Sequence, residues 1–208
     1  MALGLKLDEL QLRKLRVYLD LLQKWNRVYN LTAVRDPVQM LHHHLLDSLA
    51  TVAPLRRELR ARGREAGAGL LDVGSGGGLP GVVIAICCPD IDVSCVDTVA
   101  KKTAFVQQVA VSLGQGNLHA LHARVEQMPG CYDVVCARAF AALPDFVSWT
   151  SALLAPGGIW MAMKGQHPTE EIAALPELAR VFHVEQLQVP GLAASRCIIW
   201  MERADANS

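Results

Sequence analysis

The cysteines of this chain lack any CxxC pair, and none of the six, at positions 87, 88, 95, 131, 136 and 197, has a spacing that suits zinc. Most fall inside apolar runs, as buried free thiols of a reducing compartment do. A zinc module, a thioredoxin-type redox motif and a disulfide scaffold are thereby excluded. Aromatic residues make up only 5% of the chain. Trp25, Trp149, Trp160 and Trp200 sit in helix or strand patterns, where they are expected in the core rather than as base-stacking platforms. No apolar run approaches the roughly 18 residues of a membrane span, and no basic segment precedes a short apolar stretch at the N-terminus. A soluble cytoplasmic monomer is the expectation, with no membrane partner. There is no repeat of 20–50 residues, against a solenoid. Charge of one sign is also missing: 20 Lys and Arg balance 20 Asp and Glu, so contact with a polyanion requires a local patch.

What is present is a half-apolar composition, 51% hydrophobic against 19% charged, over 208 residues. That suits one α/β domain with an N-terminal extension, all of it folded apart from a short tail near 204–208. Between Leu7 and Tyr29 apolar residues recur at three- and four-residue steps, predicting a helix. A second helix should start at Asp36-Pro37, burying Met40, Leu41, Leu45, Leu46 and Leu49 and ending near Pro54. Three histidines, His42 to His44, lie on it. Neighbours 100° apart on a helix do not converge on one ion, so no metal is expected. His44 and Asp47, at i and i+3, are expected to form a hydrogen-bonded pair. Arg56 to Gly69, rich in arginine, glycine and alanine, reads as a linker, so residues 1–69 form a helical cap and linker and 70–203 the main domain.

From Leu70 apolar runs alternate with helical segments, the pattern of βαβ units. Strands are predicted at 70–73, 92–96, 118–123, 132–137, 159–164, 181–189 and 196–201, with helices at 80–88, 99–113, 143–154 and 168–174. No helix separates the last two strands, which predicts an antiparallel hairpin. A seven-stranded, mostly parallel sheet with that ending is the Rossmann-like class I methyltransferase arrangement, whereas dinucleotide dehydrogenases usually repeat βαβ.

Leu70 to Gly81 reads as a strand running into a glycine-rich turn at a helix N-terminus. Gly74, Gly76 and Gly78 form GxGxG, while Gly76, Gly78 and Gly81 also satisfy the dinucleotide GxGxxG, so the turn alone leaves two cofactors open. Asp97, at the end of the next strand, suits the ribose hydroxyls of either. Asp72 ahead of the first glycine, the register of the turn and the hairpin favour S-adenosylmethionine. An NAD-dependent oxidoreductase would need a hydride-handling second domain, for which no chain is left. A non-catalytic RNA-binding module is disfavoured by the intact Gly74, Gly76, Gly78 and Asp97.

Five segments occur in order, the glycine turn among them: Trp25-Asn26 with Tyr29-Asn30-Leu31-Thr32; His44-Leu45-Leu46-Asp47-Ser48; Asp72 to Gly81; Arg138-Ala139-Phe140; and Lys164-Gly165. On these the chain resembles the bacterial 16S rRNA guanine-N7 methyltransferases of the RsmG (GidB) family, from Trp25 to about Met201. The resemblance implies methyl transfer to N7 of guanine 527 in the 530 loop, with 16S rRNA in a small ribosomal subunit or assembly intermediate as partner. It also implies that Gly74 and Leu79 line the cofactor, that Val125 and Glu126 lie near the adenine, and that Arg138 stands beside the methyl donor. His42 and His43 depart from the family pattern, which carries a single histidine at the third position. Phe140 is the aromatic expected nearest the target base. Lys101, Lys102, Arg124, Lys164 and Arg196, at strand ends, are expected to form a phosphate-binding rim with Arg138. Because guanine N7 carries a lone pair and no proton, in-line displacement requires no general base, and Arg138 is expected to position rather than to exchange protons.

Overall fold

The structure is a computed structural model, and residues 3–204 are described. Of the expected C-terminal tail, Ala204 still donates its N–H to the Leu178 carbonyl, while 205–208 lie outside the described residues. Seven strands form one sheet: β1 (Gly69–Val73), β2 (Asp92–Asp97), β3 (Leu118–His122), β4 (Tyr132–Arg138), β5 (Leu154–Lys164), β6 (Ala179–Leu187) and β7 (Arg196–Arg203). Their spatial order is β3-β2-β1-β4-β5-β7-β6. The first five run parallel and β7 is antiparallel to both its neighbours. The predicted sheet and its terminal hairpin are thus present.

The helices are α1 (Glu9–Tyr29), α2 (Pro37–Met40), α3 (Asp47–Leu49), α4 (Val52–Ala61), α5 (Gly81–Cys87), α6 (Ala100–Leu113), α7 (Leu143–Thr150) and α8 (Thr169–Ala173). Side chains alternate across the sheet and divide the core in two. Ile159, Met161, Ile198 and Trp200 face α1, α4, α5 and α6; Trp160, Ala162, Ile199 and Met201 face α7. Leu15, Tyr18 and Leu22 of α1 and Leu55 and Leu59 of α4 belong to the first of these clusters together with Leu70 of β1. The N-terminal helices therefore share their core with the sheet. The division drawn at 69/70 falls at the start of β1.

Local signals explain several boundaries. Asp8 caps α1, accepting the Gln11 N–H at 2.7 Å while Gln11 reaches back to the Asp8 N–H at 3.1 Å, a reciprocal capping box. Asp36 caps α2 through the Gln39 N–H at 2.8 Å, with Pro37 at the first position as expected. The second helix is not uniform, however: Leu41–Leu46 between α2 and α3 is one π-helical stretch. Wider turns of this kind collect at functional sites. Pro54 lies in the first turn of α4, where its missing N–H costs nothing.

The expected linker is replaced by α4 and its continuation. Arg56 pairs with Asp90, Arg57 with Glu185, Arg62 with Glu202 and Arg64 with Asp133. Arg62 also stands 5.0 Å over the Phe182 ring. The arginine run ties α4 to the sheet; it is not a free spacer. Strand β5 starts at Leu154, five residues earlier than predicted, because the Pro156-Gly157-Gly158 stretch is accommodated by a register shift between Tyr132↔Leu154 and Val134↔Ile159. The α7 segment accordingly ends at Thr150, followed by a 3₁₀ turn at Ser151–Leu153. Cys131 is exposed, unlike the other five thiols, and Trp149 is 41% exposed rather than in the core.

Candidate active site

The strand order reverses between β1 and β4: the chain builds β2 and β3 outward on one side of β1, then returns to its other side. In open α/β sheets the crevice beyond the carboxyl ends of such strands holds ligands. Here the two strands end in Gly74 and in Arg138-Ala139-Phe140. Two cavities meet at Gly74 and Ala139, which line both.

The first, of about 390 Å³, is walled by Val73, Asp97, Lys102, Arg124, Val125, Glu126, Phe140 and Trp149, among others. The second, of about 480 Å³, is walled by Gly74 to Gly77, Leu79, Arg138, Lys164 and Arg196 from the sheet side, and by Leu22, Thr32, Val34, His43, His44 and Asp47 from the helical side.

The glycine turn is held from above and below. Gly74 and Gly76 have φ of +64° and +58°, left-handed conformations that side-chain-bearing residues rarely adopt. A Cβ at Gly74 would run into the Phe140 ring, while one at Gly76 would meet little but the Gly74 carbonyl. Gly78 lines neither cavity; its lack of a side chain lets the turn pass Val82 and Val106. Tyr18 of α1, fully buried, donates its hydroxyl to the Gly77 carbonyl at 2.7 Å. Burial pushes this phenol's pKa well up, so it stays a donor. The helix after the turn does not present all its N–H groups to a ligand: α5 starts at Gly81, whose N–H is taken by Asp72 Oδ2 at 2.8 Å. Asp72 is wholly buried, its Oδ1 has no hydrogen-bond partner among the described residues, and burial raises its pKa to about 7.

Asp97 stands at the rim of the first cavity. Its Oδ2 accepts the Gly76 N–H at 3.0 Å and its Oδ1 the Val99 N–H at 2.8 Å, with Lys102 Nζ 3.7 Å away. S-adenosylmethionine fits these residues: side-chain-free backbone at Gly74 and Gly76 permits close approach, and the fixed carboxylate retains lone pairs for two ribose hydroxyls. Val125 and Glu126 lie on the same cavity, where the resemblance puts the adenine. No group of three or more His, Cys, Asp or Glu among the described residues is arranged to hold a metal.

In the second cavity Asp47, 2% exposed, bridges two cations. Its Oδ2 accepts from Arg138 Nη1 and its Oδ1 from Arg196 Nε, each at 3.1 Å. Arg138 also donates to the His43 carbonyl at 2.8 Å. His44 does not pair with Asp47 as its spacing suggests. Its Nε2 is 2.7 Å from Thr32 Oγ1, and burial, with Arg138 beside it, lowers its pKa to about 4. His42 turns away to the Pro190 carbonyl at 2.9 Å.

The expected cationic rim is dispersed. Arg138, Lys164 and Arg196 share the second cavity, Lys102 and Arg124 the first, and Lys101 lines neither. Lys164 is also committed to Glu171 at 2.7 Å and to the Ala141 carbonyl at 3.1 Å. Phe140 lines the Asp97 cavity, edge-on to Trp149 with ring centres 5.8 Å apart, and does not line the Arg138 cavity. Asp47, Tyr18 and Thr32 hold the site together through contacts that no local sequence pattern announces.

The family model for rRNA small subunit methyltransferase G matches residues 11–199. The chain belongs to that family. It is 66% identical over 204 residues to the ribosomal RNA small subunit methyltransferase G of Acidovorax sp. (strain JS42), covering 96% of this chain and 90% of the relative. The counterpart from Polaromonas sp. (strain JS666 / ATCC BAA-500) is 64% identical over 200 residues, covering 96% and 88%. Among solved structures, magnesium protoporphyrin IX methyltransferase from Synechocystis PCC 6803, with bound SAH, superposes with a TM-score of 0.62 at 16% identity, covering 92% of this chain and all of that one. At that identity the likeness speaks for the fold alone.

Proposed function

We propose that this chain transfers a methyl group from S-adenosylmethionine to N7 of guanine 527 in the 530 loop of 16S rRNA, within a small ribosomal subunit or an assembly intermediate, and that it does so as a monomer. The observation that carries the reading is the meeting of two cavities at Gly74 and Ala139. A carboxylate-rimmed pocket suited to an adenosine adjoins a cavity lined by Arg138, Lys164 and Arg196, suited to an anionic acceptor.

The donor supplies an electrophilic methyl group on a sulfonium. Guanine N7 has a free lone pair and no proton, so the chain needs no general base; the buried His44, its pKa lowered to about 4, is a weak base whose Nε2 is engaged by Thr32 Oγ1. Asp97 fixes the turn through Gly76 and receives the ribose. Arg138, locked by Asp47 and the His43 carbonyl, is a positioning residue, since a cation does not stabilise a product ring that becomes cationic. Rate enhancement then rests on orientation. Lys164 and Arg196 hold phosphate or base oxygens at the mouth. Phe140 packs over Gly74 and shapes the cofactor side; contact with the acceptor falls to the cavity across Ala139. The target base must be unstacked or already exposed.

The test is mass mapping of methylated guanines in small-subunit rRNA from cells with and without the gene for this chain. Loss of 7-methylguanine in the 530 loop, restored by the chain, supports the reading; an unchanged loop overturns the proposed target.

A further inference from the structure

We propose that the C-terminal end of α1 and the segment after it form a second RNA contact outside the catalytic cavity, in which Lys24, Arg27 and Arg35 grip the phosphate backbone of the substrate RNA. This rests on the proposed rRNA methylation and extends it from the pocket to the surface beside it.

The placement is given by the two sides of one short segment. Leu31, Thr32 and Val34 turn inward and wall the cavity of Arg138. On the outer side Arg27 and Arg35 share a hollow of about 180 Å³ with Gln23, Asn26, Pro37 and Met40. Lys24 lies one helical turn before Arg27, on the same face of α1. One segment thus supplies both the inner wall of that cavity and the basic outer face beside it.

The segment is stiff enough to hold charges in place. Asn26, only 4% exposed, donates through Nδ2 to the Val34 carbonyl at 3.0 Å and accepts the Thr32 N–H on Oδ1 at 2.8 Å. Thr32 Oγ1 in turn takes the Val34 N–H at 3.2 Å and meets His44. Asn30 turns the chain out of α1 with φ +50°. The Trp25-Asn26 and Asn30-Leu31-Thr32 pieces thus brace a rigid arm.

The charges on that arm are unspent. The side chains of Lys24 and Arg27 are exposed and have no ion pair or hydrogen bond among the described residues, and the Arg35 guanidinium donates only to the neutral Asn30 Oδ1, at 3.0 Å. The arginines of α4 and of the residues that follow it are, by contrast, taken up by Asp90, Glu185, Glu202 and Asp133. Asp36, next to Arg35, holds its carboxylate on the Gln39 N–H, and Asp20 forms no bridge to Lys24. Tyr29, 45% exposed and tilted 42° against Trp25 at 5.1 Å between ring centres, adds an aromatic face for an unpaired base. Unpaired cations, an aromatic plate and a rigid mount suit a phosphate backbone better than an apolar partner.

The experiment compares the native chain with the double variant Arg27→Ala/Arg35→Ala and with Arg27→Lys/Arg35→Lys. Methyl transfer to small subunits lacking the modification is followed at several salt concentrations, with equilibrium binding to the same subunits measured without methyl donor. The alanine pair is expected to raise KM about tenfold and to reduce the slope of log Kd against log salt by about two, with kcat and affinity for S-adenosylmethionine unchanged. The lysine pair keeps the native slope. A native KM and slope in the alanine pair overturn the inference. A raised KM with an unchanged slope also overturns it, since the contact would then be to a protein rather than to phosphate. If the native chain itself neither binds nor methylates the subunits, the reading of its function falls and the inference with it.

Discussion

Asp47 holds Arg138 across the cavity mouth at 3.1 Å, and through its other oxygen holds Arg196 at the same distance. One carboxylate, set just after the π-helical stretch, therefore fixes cations at the end of β4 and the start of β7. Asp47→Ala leaves two guanidinium groups facing each other with their shared acceptor gone. Removing one partner of a buried ion pair destabilises by about 3–5 kcal/mol, and the lower end applies because both arginines retain some access to water. Asp47→Asn keeps the shape but offers one acceptor oxygen where two are used, so one guanidinium loses its bond and faces the amide NH2 donor while the other keeps a bond without the carboxylate's charge. Methyl transfer should drop about tenfold or more with circular dichroism unchanged. A native rate in Asp47→Asn would mean that Arg138 needs no such hold.

Gly74 and Phe140 are matched by contact. A Cβ at 74 meets the Phe140 ring and forces a left-handed backbone on alanine, a conformation that costs about 1–2 kcal/mol. Gly74→Ala should abolish measurable binding of S-adenosylmethionine in calorimetry while thermal unfolding remains cooperative. Adding Phe140→Ala removes the collision but not the backbone strain, so binding should return in part. Full binding by Gly74→Ala alone would show that the turn has room the ring does not take.

The sheet is legible from sequence because strands covered on both faces read as apolar runs bounded by turns, and the glycine turn stands where β1 ends. The helical half is harder. α4 is masked by arginine, glutamate and alanine; its buried side is Val52, Pro54, Leu55 and Leu59, of which Val52, Leu55 and Leu59 alone carry a helical apolar spacing. The acids that tie Arg56 and Arg57 to the rest of the fold, Asp90 and Glu185, lie far along the chain. The spacing of His44 and Asp47 correctly puts both on one helix, yet it says nothing of Arg138 or Arg196, which approach from other elements. Phe140 is expected at the acceptor because it follows Arg138 by two residues. The left-handed Ala139, φ +52°, between them turns the chain so that the two line different cavities. Long-range ion pairs and a single reversed dihedral leave little trace in local pattern.

Tyr18 reaches the glycine turn from α1, donating to the Gly77 carbonyl in a buried site. Tyr18→Phe removes the hydroxyl and little volume. The carbonyl is left without that donor, at a stability cost of about 1 kcal/mol or somewhat more. Because the carbonyl belongs to the cofactor turn, the affinity for S-adenosylmethionine should weaken several-fold too, as isothermal titration can read. Lowered stability with native affinity would confine Tyr18 to packing.

Two buried groups give stability opposite responses to pH. Asp72 has its pKa raised by burial from the usual carboxylate range to about 7, so between about pH 4 and 7 the folded chain holds a proton that the unfolded chain has released. Stability from this group is present at low pH and is lost as pH rises toward 7, by at most about 1.4 kcal/mol per unit. His44 has its pKa lowered to about 4, so between about pH 6.5 and 4 the unfolded chain takes up a proton that the folded chain refuses. Its contribution is present above pH 6.5 and is lost as pH falls. Asp72→Asn deletes the first response: its melting temperature relative to the native chain should climb steadily from pH 5 to pH 7. His44→Gln deletes the second, and its relative melting temperature should climb as pH falls from 6.5 to 4.5. Parallel melting curves for Asp72→Asn and the native chain across pH 5 to 7 would mean that the carboxyl is already ionised in the fold, with its unpartnered oxygen satisfied in solution.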